Sequence, residues 1–179
     1  MILLHNGTIV NEGRSYRGYV AIEGDKIHRV GEGDPDARMM EQSQTVDVQG
    51  DYILPGAIDD QVHFRDPGLT HKADIASESS AAVAGGVTSF MDMPNTKPQT
   101  TTPDHWNAKR QLGREKSHVN YAFFYGATND NADTFGSVDP RHVPGIKLFM
   151  GSSTGNMLVD NRASLEKIFS STDKVIMTH

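Results

Sequence analysis

The stretch Leu54–Gly68, L-P-G-A-I-D-D-Q-V-H-F-R-D-P-G, carries the residues of this chain best suited to chemistry. Two turn dipeptides, Pro55-Gly56 and Pro67-Gly68, bound it. Between them Ala57, Ile58, Val62 and Phe64 form a short apolar run that suits a buried strand. His63, Arg65 and Asp66 crowd its end. A metal-ligand type, a fixed cation and a carboxylate at one strand terminus build a site better than they build a core. Side chains alternate along a strand, so His63 and Arg65 share a face. The planar fork of arginine holds carboxylates, and the pair reads as a metal site beside an anion clamp. A lone strand histidine is more often a core or surface residue; Arg65 is what lifts His63 above that.

Three further residues stand out. Lys147 interrupts the apolar run Gly145-Ile-Lys-Leu-Phe-Met150. It is either an edge lysine whose stem packs while its head reaches water, or an inward lysine with a depressed pKa. A neutral amine in the second setting can add carbon dioxide and become an anionic oxygen ligand able to bridge two metal ions. His179 ends the run Val175-Ile-Met-Thr-His, where it is a ligand or a frayed terminus. Asn95, in Met93-Pro-Asn-Thr96, either shapes a turn or donates to a substrate carboxylate or carbonyl. The remaining histidines fall in the β-rich segment, helices or loops and carry no chemical expectation.

The elements that must position these residues follow from pattern. Residues 1–54 are β-rich, with strands expected over Ile2–Val10, Tyr19–Ile22, Lys26–Val30 and Thr45–Leu54, punctuated by Asn6-Gly7, Glu23-Gly24-Asp25 and Gly50-Asp51. Gly31–Gln44 is polar and holds no strand. From Pro55 the pattern changes. The opening strand is followed by a helix over about Thr70–Gly86 with a Gly-Gly stop, then a strand over Val87–Met93. Thr102-Pro103 is a capping threonine with proline at the first helical position, starting a helix to about Lys116. Strands are expected at Val119–Ala127, Ile146–Met150 and Lys174–Met177, with a helix at Asp160–Ser170. Asn129–Pro144 reads as loop with one helical turn near Pro140. This alternation demands a parallel sheet with helical crossovers, either doubly wound or a barrel. His63 with Arg65, Asn95, Asn129, Lys147 and His179 all fall at strand C-terminal ends, where barrel enzymes gather their sites. No Gly-rich phosphate loop follows the first strand. A closed eight-stranded barrel takes ~250 residues, so five strands fit after Leu54 and the chain reads as the N-terminal part of something longer.

Composition narrows the class. The 179 residues carry a net charge of −6 with no basic cluster, which argues against nucleic acid or an anionic membrane as partner. The absence of cysteine excludes disulfides and thiolate metal sites, so any metal takes nitrogen and oxygen ligands. No signal peptide or membrane span is legible, and a soluble cytoplasmic protein is expected.

Taken together, L-P-G-A-I-D-D-Q-V-H-F-R-D-P-G, A-A-V-A-G-G-V-T-S-F-M-D-M-P-N-T-K-P, G-I-K-L-F-M-G and V-I-M-T-H resemble the dihydroorotases of the amidohydrolase superfamily. The resemblance covers nearly the whole chain, and M-P-N-T-x-P favours dihydroorotase over hydantoinases, dihydropyrimidinases and allantoinases. It implies an α/β fold: residues 1–54 as strands of a small β-sandwich domain, and residues 55–179 as the first half of a TIM-type metallo-hydrolase barrel. The implied reaction is the reversible cyclisation of N-carbamoyl-L-aspartate to dihydroorotate in pyrimidine synthesis. The cofactor would be Zn2+, one or two ions bridged by carboxylated Lys147. His63 would ligate the more buried ion and His179 the second, with Gln61 a further candidate ligand. Arg65 and Asn95 would hold the substrate carboxylate, and Asp59 would support the ligands from behind. Metal catalysis supplies nucleophile and Lewis acid together. A homodimer or a complex with aspartate transcarbamoylase is the implied assembly.

Two departures bear on activity. The family pattern at the first strand is His-x-His, whereas this chain has Gln61-Val-His63. An amide oxygen is a weaker donor than imidazole, so the chain uses one metal, binds a second weakly, or has lost catalysis and serves assembly. The family's remaining histidine ligand and its aspartate base come from later strands. No catalytic base is therefore expected within residues 1–179, and no turnover from this piece alone.

Overall fold

The computed structural model describes residues 1–152 and 156–179. It divides into two compact units, Met1–Pro55 and Gly56–His179.

The first unit is a five-stranded sheet. Strands β1 (Ile2–Asn11), β2 (Arg14–Glu23) and β3 (Lys26–Glu32) form an antiparallel meander, while β4 (Gln44–Asp47) and β5 (Tyr52–Ile53) pair parallel to β1. The single strand expected over Thr45–Leu54 is thus two short ones. Gln49 and Gly50 take positive φ of 54° and 89° between them, a turn that extended pairing cannot pass through. The expected strandless stretch Gly31–Gln44 holds a short helix, α1 (Ala37–Glu41), capped by the Asp36 carboxylate at 2.7 Å from Met39 N. Its Met39 and Met40 pack on a small core of Leu3, Tyr19 and Ala21.

The second unit alternates strand and helix. It runs β6 (Ala57–Val62), α2 (Ile75–Ala84), β7 (Val87–Asp92), α3 (Pro103–Lys116), β8 (Asn120–Phe123), β9 (Tyr125–Gly126), a 3-10 segment (Ala132–Ser137), β10 (Ile146–Leu148), α4 (Arg162–Ser170) and β11 (Ile176–Thr178). All the pairings are parallel: β6 with β7, β7 with β8, β9 with β10, and β10 with β11. β8 and β9 are one expected strand interrupted at Phe124, whose amide turns to the Asp92 carbonyl at 3.1 Å. Within each of the two three-stranded sheets, β6-β7-β8 and β9-β10-β11, strands pair in sequence order, without the reversal that marks a doubly wound sheet. The expected helical turn near Pro140 lies earlier, at Ala132–Ser137, where Asn131 and Thr134 tie the segment to its own backbone.

Local chemistry explains the boundaries. Asp74 caps α2 at Ser77 N (3.0 Å), Thr102 caps α3 at His105 N (3.2 Å), and Asn161 caps α4 at Ala163 N (2.9 Å). α2 stops before Gly86, whose φ of 85° favours glycine. Ring packing fills the sheet's helix side: Phe64 lies 4.4 Å from Phe90, and Phe90 packs edge-on to Phe123. Trp106 Nε1 donates to the Phe123 carbonyl at 2.9 Å and fixes α3 on β8.

Candidate active site

The C-terminal ends of β6, β7, β10 and β11 carry the candidate residues. His63 follows β6 directly and is half-buried; Asn95 lies three residues past β7 and is buried. The structure joins them: His63 Nδ1 is 2.9 Å from Asn95 Oδ1. An amide oxygen only accepts, so Nδ1 carries the proton and Nε2 keeps its lone pair. Burial pushes the His63 pKa below its ordinary value, with the Asn95 bond opposing and the charges of Arg65 and Lys147 adding to the fall. Arg65 is half-buried and takes a φ of 66°. A non-glycine residue in the left-handed region costs on the order of 1–3 kcal/mol and persists where surroundings impose it, commonly at functional sites.

Lys147 sits within β10 with only 1% of its surface exposed. Of the two sequence-level alternatives, the buried one holds. Desolvation lowers its pKa, so the neutral amine is more accessible than on an exposed lysine. Its Nζ lies 5.3 Å from the Phe149 ring centroid, and the His179 ring lies 5.8 Å from the same ring. His179 is exposed, yet its backbone is held. Its amide donates to Leu148 O at 3.0 Å, and its carbonyl accepts from Met150 N at 2.7 Å.

Other candidates stand apart. Gln61 is exposed; β6 slips register against β7 between Asp59 and Val62. Asp59 is also exposed, and its carboxylate accepts from the Gln61 amide at 3.2 Å rather than from a ligand side chain. Asn129 is exposed and donates to Leu158 O at 3.4 Å. Asp66 is buried and committed to Lys116 Nζ at 2.7 Å.

A metal would draw on His63 Nε2 and Lys147, with His179 at the adjacent strand end. The donor types suit zinc once the lysine is carboxylated, but a zinc site takes four donors. Among the described residues no group of three or more His, Cys, Asp or Glu side chains could hold a metal ion. The residues fit as part of a donor set.

Sequence reasoning missed one pair. Asp92 and Lys109 are both fully buried, with Lys109 Nζ 2.8 Å from Asp92 Oδ2. The signal was available: Trp106, Lys109 and Gly113 fall at helical spacing on the buried face of α3, which puts a cation where an apolar residue is expected.

Comparison with known proteins agrees with the geometry. No protein-family model matches the chain. The chain is 34% identical over 153 residues to an allantoinase of Deinococcus radiodurans, covering 85% of this chain and 33% of that protein. It is 40% identical over 129 residues to a dihydroorotase of Lactobacillus gasseri, covering 72% of this chain and 29% of that protein. Among solved structures, an L-hydantoinase (dihydropyrimidinase) from Arthrobacter aurescens superposes with a TM-score of 0.86 at 25% identity, covering 99% of this chain and 40% of that chain. The chain belongs to the cyclic amidohydrolases of the amidohydrolase superfamily, and it spans about a third of the length of the curated relatives it matches.

Proposed function

We propose that the chain is the N-terminal part of a dihydroorotase, a zinc-dependent enzyme that interconverts N-carbamoyl-L-aspartate and dihydroorotate in pyrimidine synthesis. The observation that supports this reading is the buried Lys147 of β10, close enough to the His63–Asn95 pair for its charge to act on the His63 ring. In the full protein the sequentially ordered strands continue into a closed barrel, and the sheet of residues 1–55 is part of a β-sandwich.

His63, carboxylated Lys147 and His179 would hold the metal, which when bound supplies an activated water and Lewis-acid polarisation. The chain's own residues do the rest. The neutral amine of Lys147 would attack carbon dioxide, forming an N–C bond as one C=O π bond opens onto oxygen and releasing one proton from nitrogen to solvent, which leaves a carbamate oxygen as ligand; burial makes that neutral amine accessible. Arg65 grips the substrate carboxylate through its planar fork. Asn95 keeps its Nδ2 end for the same carboxylate, because Oδ1 is engaged by His63. Partnership with aspartate transcarbamoylase and a cytoplasmic location fit the same pathway; no helix among the described residues is long and apolar enough to cross a membrane.

A second reading rests on Gln61. It is exposed and stands where the resemblance implies a histidine ligand, which favours a subunit retained for assembly after losing one metal ligand. Full-length protein supplied with zinc and bicarbonate, offered dihydroorotate, hydantoin, dihydrouracil and allantoin, tests both. Preferential turnover of dihydroorotate is expected. Preference for another ring reassigns the substrate, and no turnover of any supports the assembly reading.

A further inference from the structure

Two charged side chains without solvent exposure lie directly behind the candidate site. Asp92 ends β7 and Lys109 projects from α3, each 0% exposed. Burying two charges costs more than burying two apolar groups of the same size, so their arrangement calls for a reason. The Asp92 Oδ1 atom accepts from two backbone amides, Phe64 N at 3.0 Å and Met93 N at 2.9 Å. Lys109 Nζ lies 2.8 Å from Asp92 Oδ2 and donates to the Met93 carbonyl at 2.7 Å.

The backbone groups involved are not ordinary ladder positions. Phe64 sits between His63 and Arg65, past the end of β6. Met93 begins the Met-Pro-Asn loop that carries Asn95, and its amide also donates to Val62 O at 3.0 Å. One carboxylate and one ammonium therefore tie both site-bearing loops to each other and to α3. The helix can come this close because residue 113 is glycine; a Cβ there would fall 2.7 Å from the Tyr121 ring.

We propose that Asp92 and Lys109 are a positioning pair that sets the His63–Asn95 contact, fixing which imidazole nitrogen is left to face a metal or substrate. The pair touches neither His63 nor Asn95 side chains; it acts on the backbone next to each. This rests on the site reading above, which assigns His63 and Asn95 their roles. A merely structural pair would anchor α3 and leave the imidazole proton where it is.

The test reads that proton. Ring-nitrogen NMR of isotope-labelled histidine in the full-length protein, at about pH 8, where an ordinary histidine is neutral, distinguishes Nδ1–H from Nε2–H. Wild type should show His63 as the Nδ1–H tautomer. Lys109→Met alone strands a buried carboxylate and risks unfolding, so the pair is changed together to Asp92→Leu with Lys109→Met, which removes the acceptor of the two amides along with both charges and keeps the shape. The expected result is loss of the Nδ1–H signal in favour of Nε2–H, with far-ultraviolet circular dichroism unchanged. An unaltered tautomer in the double variant overturns the proposal. Asn95→Ala is the control and should also lose Nδ1–H. If the control is silent, the His63–Asn95 contact and the site reading fail together. If the control responds and the double variant does not, only the positioning role fails.

Discussion

Lys147 and His179 lie on neighbouring parallel strands with the Phe149 ring against both, 5.3 Å from the Lys147 Nζ and 5.8 Å from the His179 ring. With the ring beside the amine, Lys147 is left almost without solvent exposure. A lysine so placed is poor as a cation and well suited to conversion into a neutral nucleophile toward carbon dioxide.

Arg65 should matter to turnover in proportion to its carboxylate contact. Hydrogen bonds to charged groups contribute about 1.5–3 kcal/mol, so Arg65→Ala should lower kcat/KM for carbamoyl-aspartate by roughly ten- to hundred-fold. Steady-state kinetics check this, and an unchanged kcat/KM removes the clamp. Arg65→Gly separates charge from backbone. It should lose the same rate while the φ of 66° becomes easier to hold.

Gln61→His decides what the exposed Gln61 means. If the substitution is the sole lesion, zinc stoichiometry and activity both rise in the variant, because imidazole is the better donor. Titration with zinc followed by the same rate assay reads both. A variant that binds no more zinc than wild type shows that the β6 register, with its slip between Asp59 and Val62, also keeps position 61 from the site.

The pH dependence of stability should report His63. Burial, the largest influence, holds its folded pKa below the ordinary 6.5. The unfolded chain therefore binds the proton first as pH falls, and stability drops from about pH 6.5 down to the folded pKa. Above that window the ring is neutral in both states and contributes nothing. Denaturant midpoints across this range should fall more steeply for wild type than for His63→Gln. Equal slopes would show that the ring is not desolvated.

Much of this was legible in the residues themselves. Thr102-Pro103 gave the start of α3 to the residue, because a capping hydroxyl and a proline without an amide hydrogen define that position locally. His63, Asn95, Lys147 and His179 stand out in the sequence because each departs from an apolar pattern in or just after a strand, and their roles remain the proposal made above. Breaks inside expected strands were not legible. Phe124 departs from pairing to meet Asp92 O, a long-range bond with no local signal. The Asp92–Lys109 pair was missed for a related reason. Lys109 reads as an ordinary helix surface residue until Trp106 and Gly113 show which face of α3 is buried.

The mass of Lys147 under native conditions tests the account most directly. Its pKa is lowered by burial, so the neutral amine that reacts with carbon dioxide persists to lower pH than on an exposed lysine; modification should be lost as pH falls through that depressed value. Native mass spectrometry of the full-length protein in bicarbonate and zinc should show the mass of one carbon dioxide added and localised to Lys147. The addition should vanish on acidification and in Lys147→Ala, along with zinc binding. An unmodified Lys147 in protein that nonetheless binds zinc and turns over dihydroorotate would contradict it.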